Sequence, residues 1–202
     1  AIFGSQLFRL GNAVIGVEIC EDLWVPLPPS SHLVLTGANL IFNLSASNEL
    51  VAKNAYRREL IAGQSGRCIC GYVYASAGVG ESTTDLVFSG ACTVAENGSI
   101  LAESERFSRT GSRAVACIDV AKLSAERRKN GSFHDNAVDF SEGIPTVTGV
   151  LPPLELCHMD RSYDPTPFIP GDQRTREERC KEIFAIQAAG LAKRLSHTGL
   201  KR

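Results

Sequence analysis

No run of about eighteen apolar residues, the length a helix needs to cross a bilayer, occurs anywhere in the 202-residue chain. A membrane span is therefore not expected. The first five residues, Ala1 to Ser5, carry neither the basic region nor the small-residue cleavage site of an export signal, and a cytoplasmic location is expected. Charge of one sign is missing too. Lys and Arg number 21 against 22 Asp and Glu, a formal net charge of −1, so no field gathers nucleic acid or an anionic membrane surface. Seven cysteines, at positions 20, 68, 70, 92, 117, 157 and 180, make an odd set spread mostly through expected strands and helices. That pattern argues against a disulfide framework and for a reducing compartment. Cys68 and Cys70 have no second pair and no suitably spaced histidine, so no metal site is expected. The histidines at 32, 134, 158 and 197 are scattered, and none is assigned a role. What remains is 44% hydrophobic and 21% charged, a balance that supports one ordinary globular core.

Within that frame the most informative segment is the β-branched run Val14, Ile15, Val17 and Ile19, which ends at Cys20 and a polar turn. It reads as a strand buried on both faces, and it places the thiol at the strand's carboxyl end, where the following N–H groups are available to an anion. An inert core cysteine is the competing reading of the segment taken alone. Downstream, Pro29 opens a short helix, residues 39–44 read as the next buried strand, and residues 48–67 read as a helix with Val51, Ala52, Ala55, Tyr56 and Ala62 at helical spacing. Residues 70–75 return as a strand. Residues 86–95 and 99–104 alternate around Asn97-Gly98, a strong hairpin signal. Residues 112–120 read as one more strand, covered on both faces. Six prolines between residues 130 and 171 suggest an extended arm and linker. Thr175 to Glu178 then reads as a capping box opening an amphipathic helix that carries Cys180, Ile183, Phe184, Leu191 and Leu195.

The segment Glu18-Ile-Cys20-Glu21-Asp22-Leu23-Trp24-Val25-Pro26 resembles the nucleophile segment in the glutaminase domain of glutamine-dependent NAD synthetases, a branch of the nitrilase (carbon–nitrogen hydrolase) superfamily. The likeness continues in order through residues 43–47, 56–59, 72–75, 80–85, 96–98 and 101–106. The resemblance implies an α/β fold, the four-layer αββα nitrilase-type sandwich, present here in part. It also implies a division into a partial glutaminase domain (1–130), an extended arm and linker (131–171) and the first helix of a truncated synthetase domain (172–202). The glutamate base and the lysine of nitrilase-type catalysis are expected upstream of residue 1, so the chain reads as an internal fragment, inactive and poorly soluble by itself.

By the same resemblance, Cys20 is the nucleophile that attacks the amide carbon of glutamine and forms a thioester. The backbone N–H of Glu21 stabilises the oxyanion, and Ser47 and Lys53 hold the amino-acid end of glutamine. Read without the resemblance, Ser47 is an N-cap, Lys53 a solvated charge and Glu21 a helix-entry carboxylate. Glu18 reads as a structural acid and Trp24 as packing, while Arg57, Arg58 and residues 127–129 read as solvated helix faces. No cofactor is expected in the fragment, whereas ATP and Mg2+ belong to the implied synthetase domain, which amidates deamido-NAD (nicotinate adenine dinucleotide) to NAD. The implied partners are glutamine, the missing domain halves and further copies in a homo-oligomer. A stand-alone nitrilase-superfamily amidase and a catalytically silent interaction module are the alternatives.

Overall fold

The computed structural model describes residues 4–138, 140, 143–152, 161, 163, 165, 166 and 168–199, and the chain divides into two units, Ala1–Asp160 and Arg161–Arg202. The first unit is built on strands β1 (Leu7–Leu10), β2 (Ala13–Ile19), β3 (Leu40–Ser45), β4 (Gly71–Ser76), β5 (Cys92–Glu96), β6 (Ser99–Glu103) and β7 (Thr146–Gly149), with helices α1 (Pro29–Leu35), α2 (Lys53–Arg67), α3 (Val120–Lys129) and α4 (Gly131–Val138). The strands form one mixed sheet in the order β6-β5-β4-β3-β2-β1-β7. Its centre, β2-β3-β4, is parallel, while β1, β5 and β6 join by antiparallel hairpins. Parallel neighbours need a crossover, and α1 and α2 supply the two required.

Register explains how the sheet buries itself. On the face that packs α1 and α2, one row runs Leu7, Gly16, Ile41, Tyr72 and Ala95 across five strands, and its apolar members join Leu33 and Ile61 in the core. The next row toward the carboxyl ends of the parallel strands runs Glu18, Asn43, Tyr74 and Thr93, and all four are buried. A polar layer thus lies between the apolar core and the strand ends where Cys20 sits. Gly16 lets α1 pack closely on the lower row, because a Cβ there would meet Leu33 Cδ1 at 3.0 Å and Leu33 would have to shift.

Several expectations need correction. β2 is not covered on both faces: Val14, Gly16 and Glu18 are buried, but Val17 is 39% and Ile19 64% exposed, as is Leu44 of β3 at 55%. Among the described residues, helices cover one face of the sheet and no second sheet covers the other. Residues 112–119 pair in no ladder; Ile118 instead lies against Gly71 and the Asp119 amide donates to Glu96 Oε2 at 2.8 Å, leaving Val115 exposed. The stretch expected to be an extended arm contains α4 and the edge strand β7, which pairs in parallel with β1. α2 starts at Lys53 rather than at residue 48, because Ala52 takes a left-handed conformation (φ 67°) that ends the preceding loop. The β5 strand begins at Cys92, and the Leu86 and Val87 assigned to it lie in an exposed loop.

The second unit is described mainly by α5 (Gln173–Thr198), a 26-residue helix. Its N-cap is Asp172, whose carboxylate accepts from the Thr175 amide at 2.8 Å and from its hydroxyl at 2.7 Å. The expected capping box at Thr175 is therefore displaced by one turn, since Asp172 reaches the same orphan N–H groups first.

Candidate active site

Cys20 stands where β2 gives way to a 3-10 turn, Cys20–Trp24, and its φ is +53°. A side chain in the left-handed region costs about 1–2 kcal/mol, and such strain persists where its surroundings over-determine it. Here they do so from both sides. The Ile19 amide donates to Asp22 Oδ2 at 2.8 Å, and the Cys20 carbonyl accepts from Asn43 Nδ2 at 3.4 Å. The thiol is free and partly exposed.

A cavity of about 310 Å³ opens beside it, lined by Cys20, Glu21, Trp24, Ser47, Asn48 and Lys53 among others. The fold therefore gathers all four site residues singled out in the sequence, although 33 positions separate Cys20 from Lys53. Two segments accomplish this, the turn after β2 and the single loop between β3 and α2. Ser47, only 7% exposed, is not a helix cap, because α2 begins six residues later. Lys53 is not a solvated charge: its Nζ donates to the Asn48 carbonyl and to Asn48 Oδ1, each at 2.9 Å, and lies 5.4 Å from the centre of the Trp24 ring. An ammonium has three N–H groups, and these two bonds leave one for a further acceptor. Trp24 also packs against Tyr56, ring centres 5.5 Å apart and tilted by 52°, so it both packs and lines the cavity. Glu21 is exposed in the first turn after the thiol, where backbone N–H groups have no intrahelical partner.

Beneath the cavity, Glu18 is 2% exposed. Its Oε2 accepts from the Ser30 amide at 2.8 Å, and its Oε1 accepts from the Tyr72 hydroxyl and from Asn43 Nδ2 at 3.4 Å. Burial, and then the Glu18 carboxylate, push the Tyr72 phenol far above its ordinary range, so Tyr72 stays protonated as a donor. Asn48, Asn43 and Tyr72 had no role in the sequence reading. The signal that could have found Asn43 was a polar residue inside an apolar strand, in phase with Glu18.

Arg57 corrects another expectation. Instead of facing solvent it is 1% exposed, bonded to Glu49 Oε1 at 2.8 Å with its guanidinium over the Tyr74 ring. Arg127 likewise turns inward and donates to the carbonyls of Ile69 and Cys68 at 3.0 and 3.1 Å. A larger groove of about 610 Å³ at the start of α2 is lined by Glu49, Leu50, Val51, Arg58, Val87 and Phe107 among others, but no cysteine lines it and the Glu49 carboxylate is engaged by Arg57 and Ser89, so size alone does not locate the chemistry.

A family model for carbon–nitrogen hydrolases matches residues 2–139. Glutamine-dependent NAD(+) synthetase of Mycobacterium tuberculosis H37Rv is 41% identical over 201 residues, covering 96% of this chain and 30% of the relative. That of Mycobacterium leprae is 40% identical over 203 residues, with the same coverage of 96% and 30%. The chain thus spans about 30% of the length of these relatives. A crystal structure of a carbon–nitrogen hydrolase from Helicobacter pylori G27 overlays with a TM-score of 0.54 at 18% identity, over 70% of this chain and 52% of that one, which is a likeness of fold. A seven-stranded α/β sheet that ends its second strand on a strained cysteine, matched by the family model over most of its length, places the chain in the carbon–nitrogen hydrolase family.

Proposed function

We propose that this chain carries the nucleophile and part of the substrate pocket of a glutaminase that supplies ammonia for ATP-dependent amidation of deamido-NAD to NAD. The observation that carries the reading is the convergence of Cys20, Glu21, Ser47 and Lys53 on one cavity, together with similarity to the NAD synthetases over nearly the whole chain.

In this mechanism the Cys20 sulfur, its proton taken by a carboxylate base, adds to the side-chain amide carbon of glutamine. The resulting oxyanion is held by the Glu21 N–H and a lysine; one such donor is worth about 3–4 kcal/mol in acyl transfer. The base returns that proton to the amide nitrogen as the adduct collapses, expelling ammonia and leaving a thioester at Cys20; it then takes a proton from water, whose attack releases glutamate and restores the thiol. No residue of this chain is assigned as that base or that lysine. Lys53 pairs with the α-carboxylate of glutamine, a charge-assisted contact that fixes which end of the substrate enters, and the Ser47 hydroxyl completes that contact. ATP and Mg2+ belong with the amidation step. Among the described residues no group of three His, Cys, Asp or Glu side chains could hold a metal ion. Homo-oligomeric assembly is part of the same proposal.

The test is NAD formation by this chain within the full length that its relatives span, wild type against Cys20→Ala, with ATP, deamido-NAD and either glutamine or ammonium. Loss of the glutamine-driven reaction with the ammonium-driven one intact is the expected result. Hydrolysis of simple amides with no NAD formed from either nitrogen source would replace the reading with a free-standing amidase.

A further inference from the structure

We infer that Glu18, Asn43 and Tyr72 form a positioning unit that holds Cys20 in its left-handed conformation and so presents the thiol to the cavity; the inference rests on Cys20 being the nucleophile. None of the three touches the cavity. They act on Cys20 through its backbone.

The geometry supports this at each link. Glu18 lies in β2, two residues before Cys20, with its side chain on the opposite side of the sheet from that of Ile19. Its carboxylate draws donors from three separate elements: the Ser30 amide in the first turn of α1, Asn43 of β3 and Tyr72 of β4. A buried carboxylate needs such donors on its oxygens, because an unpaired charge there would be costly. Glu18 thereby fixes Asn43, whose remaining carbonyl is occupied by the Ser45 hydroxyl at 2.6 Å. With both ends of its amide engaged, Asn43 has a single orientation, and in it Nδ2 also reaches the Cys20 carbonyl at 3.4 Å. That bond sets the peptide plane after Cys20. The Asp22 carboxylate anchors the chain one residue earlier, accepting from the Ile19 amide of the Glu18–Ile19 peptide at 2.8 Å. A cysteine free of these two constraints would relax toward the ordinary β or right-handed region and swing its sulfur away from the N–H groups of the following turn.

Tyr72 is the member that can be altered most gently, since Tyr72→Phe removes one hydroxyl and keeps the ring in the core. The test uses the whole 202-residue chain as wild type, Tyr72→Phe and Glu18→Gln. Alkylation by iodoacetamide is followed peptide by peptide in a mass spectrometer, with exposed Cys117 as internal reference and buried Cys70 as the monitor of unfolding. The expected result is a Cys20 rate at least fivefold lower relative to Cys117 in both variants, with Cys70 still protected. An unchanged Cys20-to-Cys117 ratio overturns the inference. So does alkylation of Cys70 keeping pace with Cys20 in Tyr72→Phe, which assigns the network to stability alone. In the full length that the relatives span, Tyr72→Phe is expected to lower kcat for glutamine hydrolysis with KM unchanged, and a change in KM alone counts against positioning. Failure of the parent reading looks different: Cys20→Ala would retain glutamine hydrolysis whatever the alkylation rates.

Discussion

Arg57 and Glu49 form a buried ion pair across the start of α2, 2.8 Å from Nη1 to Oε1, with side chains 1% and 8% exposed. The Ser89 hydroxyl adds a second donor to the same carboxylate oxygen at 2.6 Å. Removing one partner of such a pair leaves an uncompensated buried charge. Arg57→Met is therefore expected to cost about 3 kcal/mol or more, and the double variant Arg57→Met, Glu49→Met to recover most of that loss. Chemical unfolding of the two variants checks it; equal losses in both would show that packing, not charge, sets the cost.

The same pair predicts a pH dependence. Burial raises the Glu49 carboxyl, but its bonds to Arg57 and Ser89 and the nearby arginine charges outweigh that and hold it below its ordinary value. A depressed carboxyl contributes stability that is fully present above its unfolded value, near about 4.3, and is lost as the pH falls through the folded value. Melting temperatures between about pH 6 and pH 3 should show a steeper acid decline in the wild type than in Glu49→Gln.

Strain at Cys20 can be measured directly. Glycine accepts φ +53° without penalty and alanine does not. Cys20→Gly is expected to be more stable than Cys20→Ala by roughly 0.5–1 kcal/mol, the left-handed cost less the entropy of glycine. Equal stability of the two would mean that the surroundings impose no strain.

Lys53→Met keeps the stem against Trp24 and removes the ammonium that Asn48 holds in place. If Lys53 binds the substrate carboxylate, KM for glutamine should rise roughly 10- to 100-fold, the loss of one hydrogen bond to a charged group. Ammonium-driven NAD formation should be untouched.

In the second unit, Asp172→Ala removes the acceptor for the Thr175 amide and hydroxyl. Faster hydrogen exchange at Thr175 and its neighbours is expected, with the middle of α5 unchanged.

These cases also show which parts of the molecule could be read from sequence. β2, β3 and β4 were legible because each is a short apolar run ending at polar residues, and the β5–β6 turn because Asn97 and Gly98 both take positive φ, 45° and 87°. The β1–β2 hairpin was missed although Gly11-Asn12 marks a two-residue turn. Residues 112–119 alternate as a strand should, but a period of two states which faces differ, not which edge is available for pairing. Arg57 and Arg127 were misread for a common reason. A charge at helical spacing defaults to solvent, and only distant partners, here Glu49 and the carbonyls after α2, reverse that default. The site residues were named through resemblance; their convergence depended on loops whose course no local pattern encodes.

The inward face of α2 has a further consequence. It presents Arg57, Ile61, Gln64 and Ser65 to the sheet, so a mostly polar stripe does the docking. Gln64 donates to the Ser30 and Ser31 hydroxyls at 3.0 and 2.9 Å, Ser65 donates to the Cys70 carbonyl at 2.7 Å, and Arg57 meets Glu49. Oily surfaces tolerate sliding because one methyl resembles another, whereas each of these contacts accepts a single mate. Shifting α2 by one turn would break all of them together. The helix is thus keyed like a lock with four wards, and because Lys53 begins it, the key also fixes how far the ammonium stands from the sulfur.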